Sequence, residues 1–419
     1  MSSNKNKQIL KYVSIALIAI VIISGGAFAL NLFAPASEPN TSPSPSTSAT
    51  ATPSTSTQPT TTPSSSLTPS PTTTESLPSP TATPEPENEN ITITDMVGRN
   101  VTLPKNVNTV VTTIPDTLRL VTMLGAVDKV VGITSYVSMG YASKMEDVLA
   151  YPQLANVSQV GAASEVDAEM IAKIQPDVVF LYAGYSNLVT SIEETAHVPV
   201  VCISASSYGS QAASELYGAL RLAGTILGKE AKAEEVIAYF EAQISSMQSR
   251  IANIPLSERK TVYLANWANR QGTGWTTRDY WPLTVAGGIN VAQDLTANYM
   301  EVDKEQILSW NPDIIFIHGY KTKTAATDIL NDALLQGTTA VKNNEVYGLF
   351  GPYIGADPKM SLVDMYIVAK TLYPAQFSDI DIIAKGHEIF QYFYGTSGPS
   401  VFDQATANRS IYLSDTLTP

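Results

Sequence analysis

The chain has 419 residues, a formal charge of −13 at pH 7 and a single cysteine. That acidity argues against nucleic acid as a partner and suits a soluble extracytoplasmic protein. One cysteine excludes a disulfide framework within the chain.

Residues 1–35 open with Lys5, Lys7 and Lys11, followed by an uncharged run from Tyr12 to Ala34. A positive flank before an apolar run of this length is a signal peptide or a membrane anchor. Ala27-Phe28-Ala29 offers a small-x-small cleavage site, but we read the segment as a retained anchor. The only cysteine, Cys202, is deep in the chain, so a lipid anchor on an N-terminal cysteine is excluded. The basic flank would keep that end in the cytoplasm and everything after it outside. Residues 36–90 are nearly all Ser, Thr and Pro, too poor in apolar side chains to offset the entropy of ordering, and read as a disordered stalk. Its hydroxyls invite O-glycosylation, and Asn90, Asn100, Asn156 and Asn408 stand in sequons.

About 330 residues remain, too many for one ordinary core and comfortable for two. Ile91–Leu103 alternates apolar and polar residues around a Val-Gly turn and predicts a β-hairpin. Val107–Thr113 reads as a strand, Pro115–Leu124 as a helix, Lys129–Thr134 as a strand. A helix near Ser191–Ala196 and a strand at Val198–Ile203 complete an N-terminal α/β lobe over residues 91–210. Cys202 falls inside that last strand and reads as a buried residue, not a reactive thiol. Residues 211–255 are the longest helical stretch, Ser214–Leu227 and Lys229–Ile254 with a break near Gly228. The second part places Val236, Ile237, Phe240, Ile244, Met247 and Ile251 at helical spacing and is long enough to cross between lobes. Residues 256–419 resume the alternation, with strands at Thr261–Ala265, Ile314–Ile317 and Val346–Leu349. Helices are expected at Trp281–Ala286, Lys359–Tyr373 and Ile380–Phe393. The fold class is therefore α/β: two Rossmann-like lobes joined by a long helix.

One pattern occurs twice. Glu165–Phe180 (EVDAEMIAKIQPDVVF) and Glu301–Phe316 (EVDKEQILSWNPDIIF) share eight identities in register, at an offset of 136 residues. In each, an aspartate (Asp167, Asp303) is positioned to cap a short helix whose first turn carries a glutamate (Glu169, Glu305). A proline then ends the helix and an apolar run follows as a buried parallel strand. Two copies at so long an interval suggest two matched lobes and not a solenoid.

Ligands of parallel sheets lie beyond the carboxyl ends of the strands. Here those loops are Thr112–Asp116, Ser135–Tyr141, Tyr182–Asn187 and Ser204–Ser210, then Trp267–Arg278, His318–Lys323 and Phe350–Ile354. They are rich in Tyr, Trp, Ser and Gly, a composition suited to a large planar or chelated ligand. Candidate ligand-binding residues are Thr113, Pro115, Arg119, Tyr136, Tyr182, Tyr185, Tyr208, Trp267, Arg270, Trp275, His318, Tyr320 and Tyr353; loop-anchoring packing is the plain alternative for roughly half of the aromatics. No GxSxG, HExxH, CxxC or phosphate-cradling loop is present, so no catalytic residues are assigned. The glycine-rich stretch 271–275 reads as a mobile loop. The three histidines, His197, His318 and His387, are far apart in sequence, which disfavours a bare zinc or manganese site.

The hairpin AspMetValGlyArgAsnValThrLeuPro, the run LeuGlyAlaValAspLysValValGlyIle, the two repeat copies, GlyGlyIleAsnValAlaGlnAspLeu at 287–295 and PheGlnTyrPheTyrGly near the end resemble the bridging-helix (class III) ABC-transporter substrate-binding proteins. The resemblance spans about residues 91–395. That family takes up iron–siderophores, haem and vitamin B12, and some members bind oxyanions such as molybdate. It implies a ligand held between two lobes with limited hinge motion. The resemblance also implies docking on the permease through one glutamate per lobe, falling here on Glu169 and Glu305. Two departures bear on the ligand. Arg119 stands where many relatives carry a glutamate, and Ala162 and Ala163 replace an aromatic of the vitamin B12 binder. With Arg270, Arg278, Lys321 and Lys323, Arg119 would make the cleft basic. The resemblance thus implies a monomeric, membrane-tethered, extracytoplasmic binding protein, with an ABC permease and its ATPase as partners. Its cargo would be a metal chelate, an iron complex first, with a corrinoid or a molybdate- or tungstate-type oxyanion as alternative. No cofactor or resident metal is expected. The rivals from other classes are a chelatase-like enzyme on the same scaffold and a surface adhesion protein.

Overall fold

In a computed structural model, the described residues are 89–135, 144–205, 209, 211–265, 272–319, 322–351 and 355–407, with the side chains of 322 and 323 excepted. All lie within one unit, Pro86–Pro419; the anchor and the stalk up to residue 88 fall outside the described residues, and Asn90, expected in the stalk, opens the first strand.

The predicted hairpin is present as β1 (Asn90–Thr94) and β2 (Asn100–Pro104), closed by Asp95, whose carboxylate accepts from the amides of Val97 and Arg99. The first lobe then runs β3 (Val110–Thr112), α1 (Pro115–Met123), β4 (Val130–Ile133), α2 (Glu146–Ala150), β5 (Ser158–Gln159), β6 (Gly161–Ala162), β7 (Glu165–Val166), α3 (Ala168–Ile174), β8 (Val178–Tyr182), α4 (Val189–Ala196) and β9 (Val200–Ile203). Its main sheet is parallel, in the order β5-β4-β3-β8-β9. Two helices follow, α5 (Ala212–Leu227) and α6 (Glu230–Ile251), and Gly228 between them takes φ +65°, a left-handed turn that glycine adopts without strain. The first packs on α1 and the second on helices of the second lobe.

That lobe contains β10 (Thr261–Ala265), β11 (Trp275–Thr277), α7 (Trp281–Val285), β12 (Ile289–Asn290), β13 (Tyr299–Glu301), α8 (Lys304–Trp310), β14 (Ile314–Ile317), α9 (Thr322–Leu330), α10 (Thr339–Lys342), β15 (Val346–Gly348), α11 (Pro358–Leu372), α12 (Ile382–Tyr394) and α13 (Gly398–Ala407). Its sheet is also parallel, β12-β10-β14-β15. The stretch read as a mobile loop ends instead in a strand: Trp275 pairs with Glu301 in an antiparallel ribbon.

The echo in the sequence is an echo in space. Each copy sits behind a two-stranded ribbon, β6–β7 or β11–β13. Asp167 accepts from the Met170 amide at 2.9 Å and Asp303 from the Gln306 amide at 2.7 Å, so both cap their helices. Both helices end on a left-handed residue, Gln175 or Asn311. The aspartate after each proline clasps the neighbouring strand. Asp177 Oδ2 accepts from the amides of Asn108 (2.6 Å) and Thr109 (2.9 Å), and Asp313 Oδ2 accepts from the Thr261 amide and hydroxyl, both at 2.8 Å. Removing a cap by Asp303→Ala should cost about 1 kcal/mol; a urea denaturation midpoint equal to that of the wild type would contradict the capping role.

Sheet alternation decides where each side chain goes. Val111, Val179, Leu181 and Val200 point outward onto α3 and α4, and Tyr263, Ala265, Ile315 and Ile317 do the same beneath α8 and α9. The opposite faces do not make two separate cores, as the sequence suggested. Val110, Phe180 and Val201 of the first sheet join Val262, Ile314 and Phe316 of the second in one continuous cluster, through α1, α5, α6 and α11. A further departure concerns α13, which packs back on α2 of the first lobe although it belongs in sequence to the second. The lobes are therefore joined by apolar packing as well as by the chain.

Candidate functional site

At the carboxyl ends of β3 and β4 a small hollow opens, lined by Thr112, Ile114, Pro115, Leu118, Ile133, Thr134 and Met145. Pro115 fills the first position of α1, where its fixed φ suits a helix start and its missing N–H costs nothing. Thr113 is fully buried and already engaged: its hydroxyl donates to Phe180 O at 3.1 Å and accepts from the Tyr182 amide at 3.2 Å. It ties β3 to β8 and offers nothing to a ligand.

Tyr182 and Tyr185 meet edge to face, with centroids 5.5 Å apart, in the connection after β8. Burial pushes the Tyr182 phenol up to about 12, with Asp116, then Tyr299 of the second lobe, adding to the shift. Tyr185 is also raised, by burial. Both phenols therefore stay protonated donors at neutral pH. Tyr299 of the second lobe, itself 45 % exposed, is among the groups that add to the Tyr182 shift. His318, after β14, is only 2 % exposed and stands edge-on to the Tyr280 ring at 5.7 Å. Trp275 is half-buried in its ribbon. Tyr136, Tyr208, Trp267, Arg270, Tyr320 and Tyr353 lie outside the described residues.

Arg119 belongs to a different feature. It is fully buried, and carboxylates converge on it from two helices and a helix start. Its Nε lies 3.2 Å from Asp357 and 3.3 Å from Asp147, Nη2 lies 3.4 Å from Glu146, and Nη1 3.6 Å from Asp116. The Nε approaches are ion-pair contacts. Nη1 also donates to the Ala356 carbonyl at 3.0 Å. Lys359 Nζ sits 3.2 Å from Asp357 and 3.6 Å from Asp147, and Asp147 accepts from Thr122 (2.6 Å) and from the Tyr394 hydroxyl (3.0 Å). Burial alone would disfavour the guanidinium charge, but the four carboxylates, Asp357 foremost, more than offset it and keep Arg119 protonated. Burial raises Asp116 to about 6 despite Arg119 and the Ala356 amide. Asp357 goes the other way: burial works against its charge, but Lys359 and Arg119 prevail and lower it. The expectation that Arg119 makes the cleft basic is thus corrected, because the side chain points into the protein. Arg278, another of the expected cations, is turned toward Asn298 Oδ1 and Leu295 O; Arg270 and the side chains of Lys321 and Lys323 are outside the description.

Sequence reasoning did not single out Glu146, Asp147, Asp357, Lys359 or Tyr394. The one available signal was charge in an unlikely place: α1 is buried nearly all round and still carries an arginine. Glu169 and Glu305, by contrast, are both exposed in the first turn of their helices.

The periplasmic binding protein family model matches residues 110–352. The chain belongs to this family. It is 27% identical over 331 residues to the molybdate-binding protein MolA of Haemophilus influenzae, an alignment covering 73% of this chain and 91% of that one. It is 24% identical over 263 residues to the petrobactin-binding protein YclQ of Bacillus subtilis, covering 61% and 79%. The structure of Haemophilus influenzae MolA bound to molybdate superposes with a TM-score of 0.61 at 23% identity, over 73% of this chain and 98% of the other, which speaks to the fold. The protein is accordingly a non-enzymatic, extracytoplasmic substrate-binding component of an ABC importer, of the bridging-helix class.

Proposed function

We propose that the cargo is an oxygen-rich, metal-bearing anion held between the lobes, with a molybdate-type oxyanion ahead of the iron complex expected from the sequence. The observation that carries this reading is the alignment with a molybdate-binding relative over nearly its whole length. Tyr182 and Tyr185 support it, since phenols kept protonated by burial donate to anionic oxygens without bringing a compensating charge. A ferric chelate is the second reading, favoured by the petrobactin-binding relative. Glu169 and Glu305 would dock the loaded protein on its permease, and the apolar run Tyr12–Ala34 would tether it to the membrane.

A thermal-shift and calorimetric titration with molybdate, tungstate, ferric citrate and a corrinoid separates these cargoes. Molybdate at a hundred times its Kd should stabilise the protein by about 2.7 kcal/mol. A response to ferric citrate alone would establish the second reading, and a response to the corrinoid alone, or to none of the four, would end the proposal.

A further inference from the structure

Two strand-to-helix connections that end on opposite lobes are hydrogen-bonded to each other. The first leads from β3 into α1, whose second residue is Asp116; the second leads from β15 into α11. Asp116 Oδ1 accepts from the Ala356 amide at 2.8 Å, and Arg119, one turn further along α1, donates to the Ala356 carbonyl. The far shoulder of the same second-lobe connection is held by its own lobe: Asp364 accepts from the amides of Phe350 (2.8 Å) and Gly351 (3.0 Å). Each shoulder thus hangs on one buried or nearly buried carboxylate, and one of the two carboxylates comes from the opposite lobe. Gly355 shows how tight the junction is. Its φ is +65°, and a Cβ there would stand 2.1 Å from Asp116 Oδ1 and 3.1 Å from Arg119 Nη1. Asp116 directly follows Pro115, which lines the hollow at the ends of β3 and β4, so the junction adjoins that hollow.

We propose that Asp116 is a positioning residue for ligand capture: it fastens the Gly355–Asp357 shoulder of the second lobe to the start of α1, so that the two connections bordering the cleft keep one spacing whether or not ligand is bound. The residues that face Asp116 and its clasp are Arg119 on α1, Glu146 and Asp147 on α2, Asp357 and Lys359 at α11, Tyr394 on α12 and Tyr182 after β8. Three of these are the counter-charges that keep Arg119 in place, and none substitutes for Asp116 at the Ala356 amide. The capture half of the proposal rests on the cargo reading above, whereas the fastening itself does not.

Hydrogen exchange on the full chain, read on peptides spanning 349–360, tests the fastening without any ligand. Asp116→Ala should speed exchange at the Ala356 amide about ten-fold, and Asp116→Asn, whose carbonyl oxygen accepts the same bond, should stay close to wild type. Gly355→Ala should reproduce the fast exchange with the carboxylate intact, which keeps the test alive if Asp116→Ala fails to fold. Slow exchange in both, or equal exchange in the Ala and Asn variants, would overturn the proposal. Affinity is then measured with molybdate, or with ferric citrate if that is what stabilises the wild type. It should weaken about five-fold in Asp116→Ala and recover in Asp116→Asn; fast exchange with unchanged affinity would reduce Asp116 to a structural residue. If neither probe binds the wild type, the cargo reading fails and the exchange data still decide the fastening.

Discussion

Arg119→Met should lower the stability of the protein by roughly 3–5 kcal/mol, the range for breaking a buried charge network by removing one partner. The loss is this large because Asp357, Asp147, Glu146 and Asp116 all face the guanidinium, and the Lys359 charge beside Asp357 and Asp147 does not match four carboxylates. Against a typical total of about 5–15 kcal/mol, that brings the chain near its unfolding threshold. Urea denaturation at pH 7 reads the effect; a change below about 1 kcal/mol would mean that the cluster is solvated and its charges screened. The pH dependence has a defined sign. Asp116 has a folded-state value near 6, above the ordinary 3.8. Its contribution is therefore fully present below pH 3.8 and lost as pH rises through 6. Asp357, held below its ordinary value, contributes in the opposite sense and weakens the fold as pH falls. Asp116→Asn should accordingly compare more favourably with wild type at pH 7.5 than at pH 4.

The same cluster marks the limit of what the residues reveal on their own. Apolar runs such as Val178–Leu181 and Ile314–Ile317 admit little besides a strand buried on both faces, and both are found there. The capping aspartates act over three residues, so Asp167 and Asp303 are legible from local spacing. Arg119 is not, because its partners lie 27 and 238 residues onward, at Glu146 and Asp357. A cation in the helix that follows a strand looks the same in sequence whether it turns outward to a ligand or inward to carboxylates. The short helices α2 and α13 were missed for a related reason: they are held by packing against other elements, α2 on α13 across the lobes and α13 also on α12, and not by their own pattern. The shared inner core follows from the same packing across the lobes. Two lobes, residues 91–210 and 256–419, would suffice for two cores, but α5, α6 and α11 present apolar residues to both. In the candidate site, the aromatic character of the connection after β8 was legible, while the commitment of Thr113 to the sheet was visible only once β3 and β8 were paired.

Reversing both Glu169 and Glu305 to arginine should abolish transport and leave cargo affinity within about two-fold of wild type, because the docking proposed above places the two carboxylates on the partner and not on the ligand. They stand at equivalent positions of two equivalent helices, each one residue inside the first turn and two beyond a capping aspartate. A carboxylate there gains from the helix dipole, so the substitutions themselves should cost about 0.3–1 kcal/mol each and spare the fold. Neither side chain is needed within the protein: both are exposed, and the structural duties of the repeat fall to other members, Asp167 and Asp303 at the caps and Asp177 and Asp313 at the strand clasps. An acid that recurs in both lobes, exposed and without a structural task, is suited to receive arginines from a two-fold transporter. Uptake of labelled cargo through the cognate importer is the decisive measurement. Each single reversal should reduce it and the pair should eliminate it. Full uptake by the double variant would remove docking from the repeat, and a loss of cargo affinity would place Glu169 and Glu305 at the ligand instead.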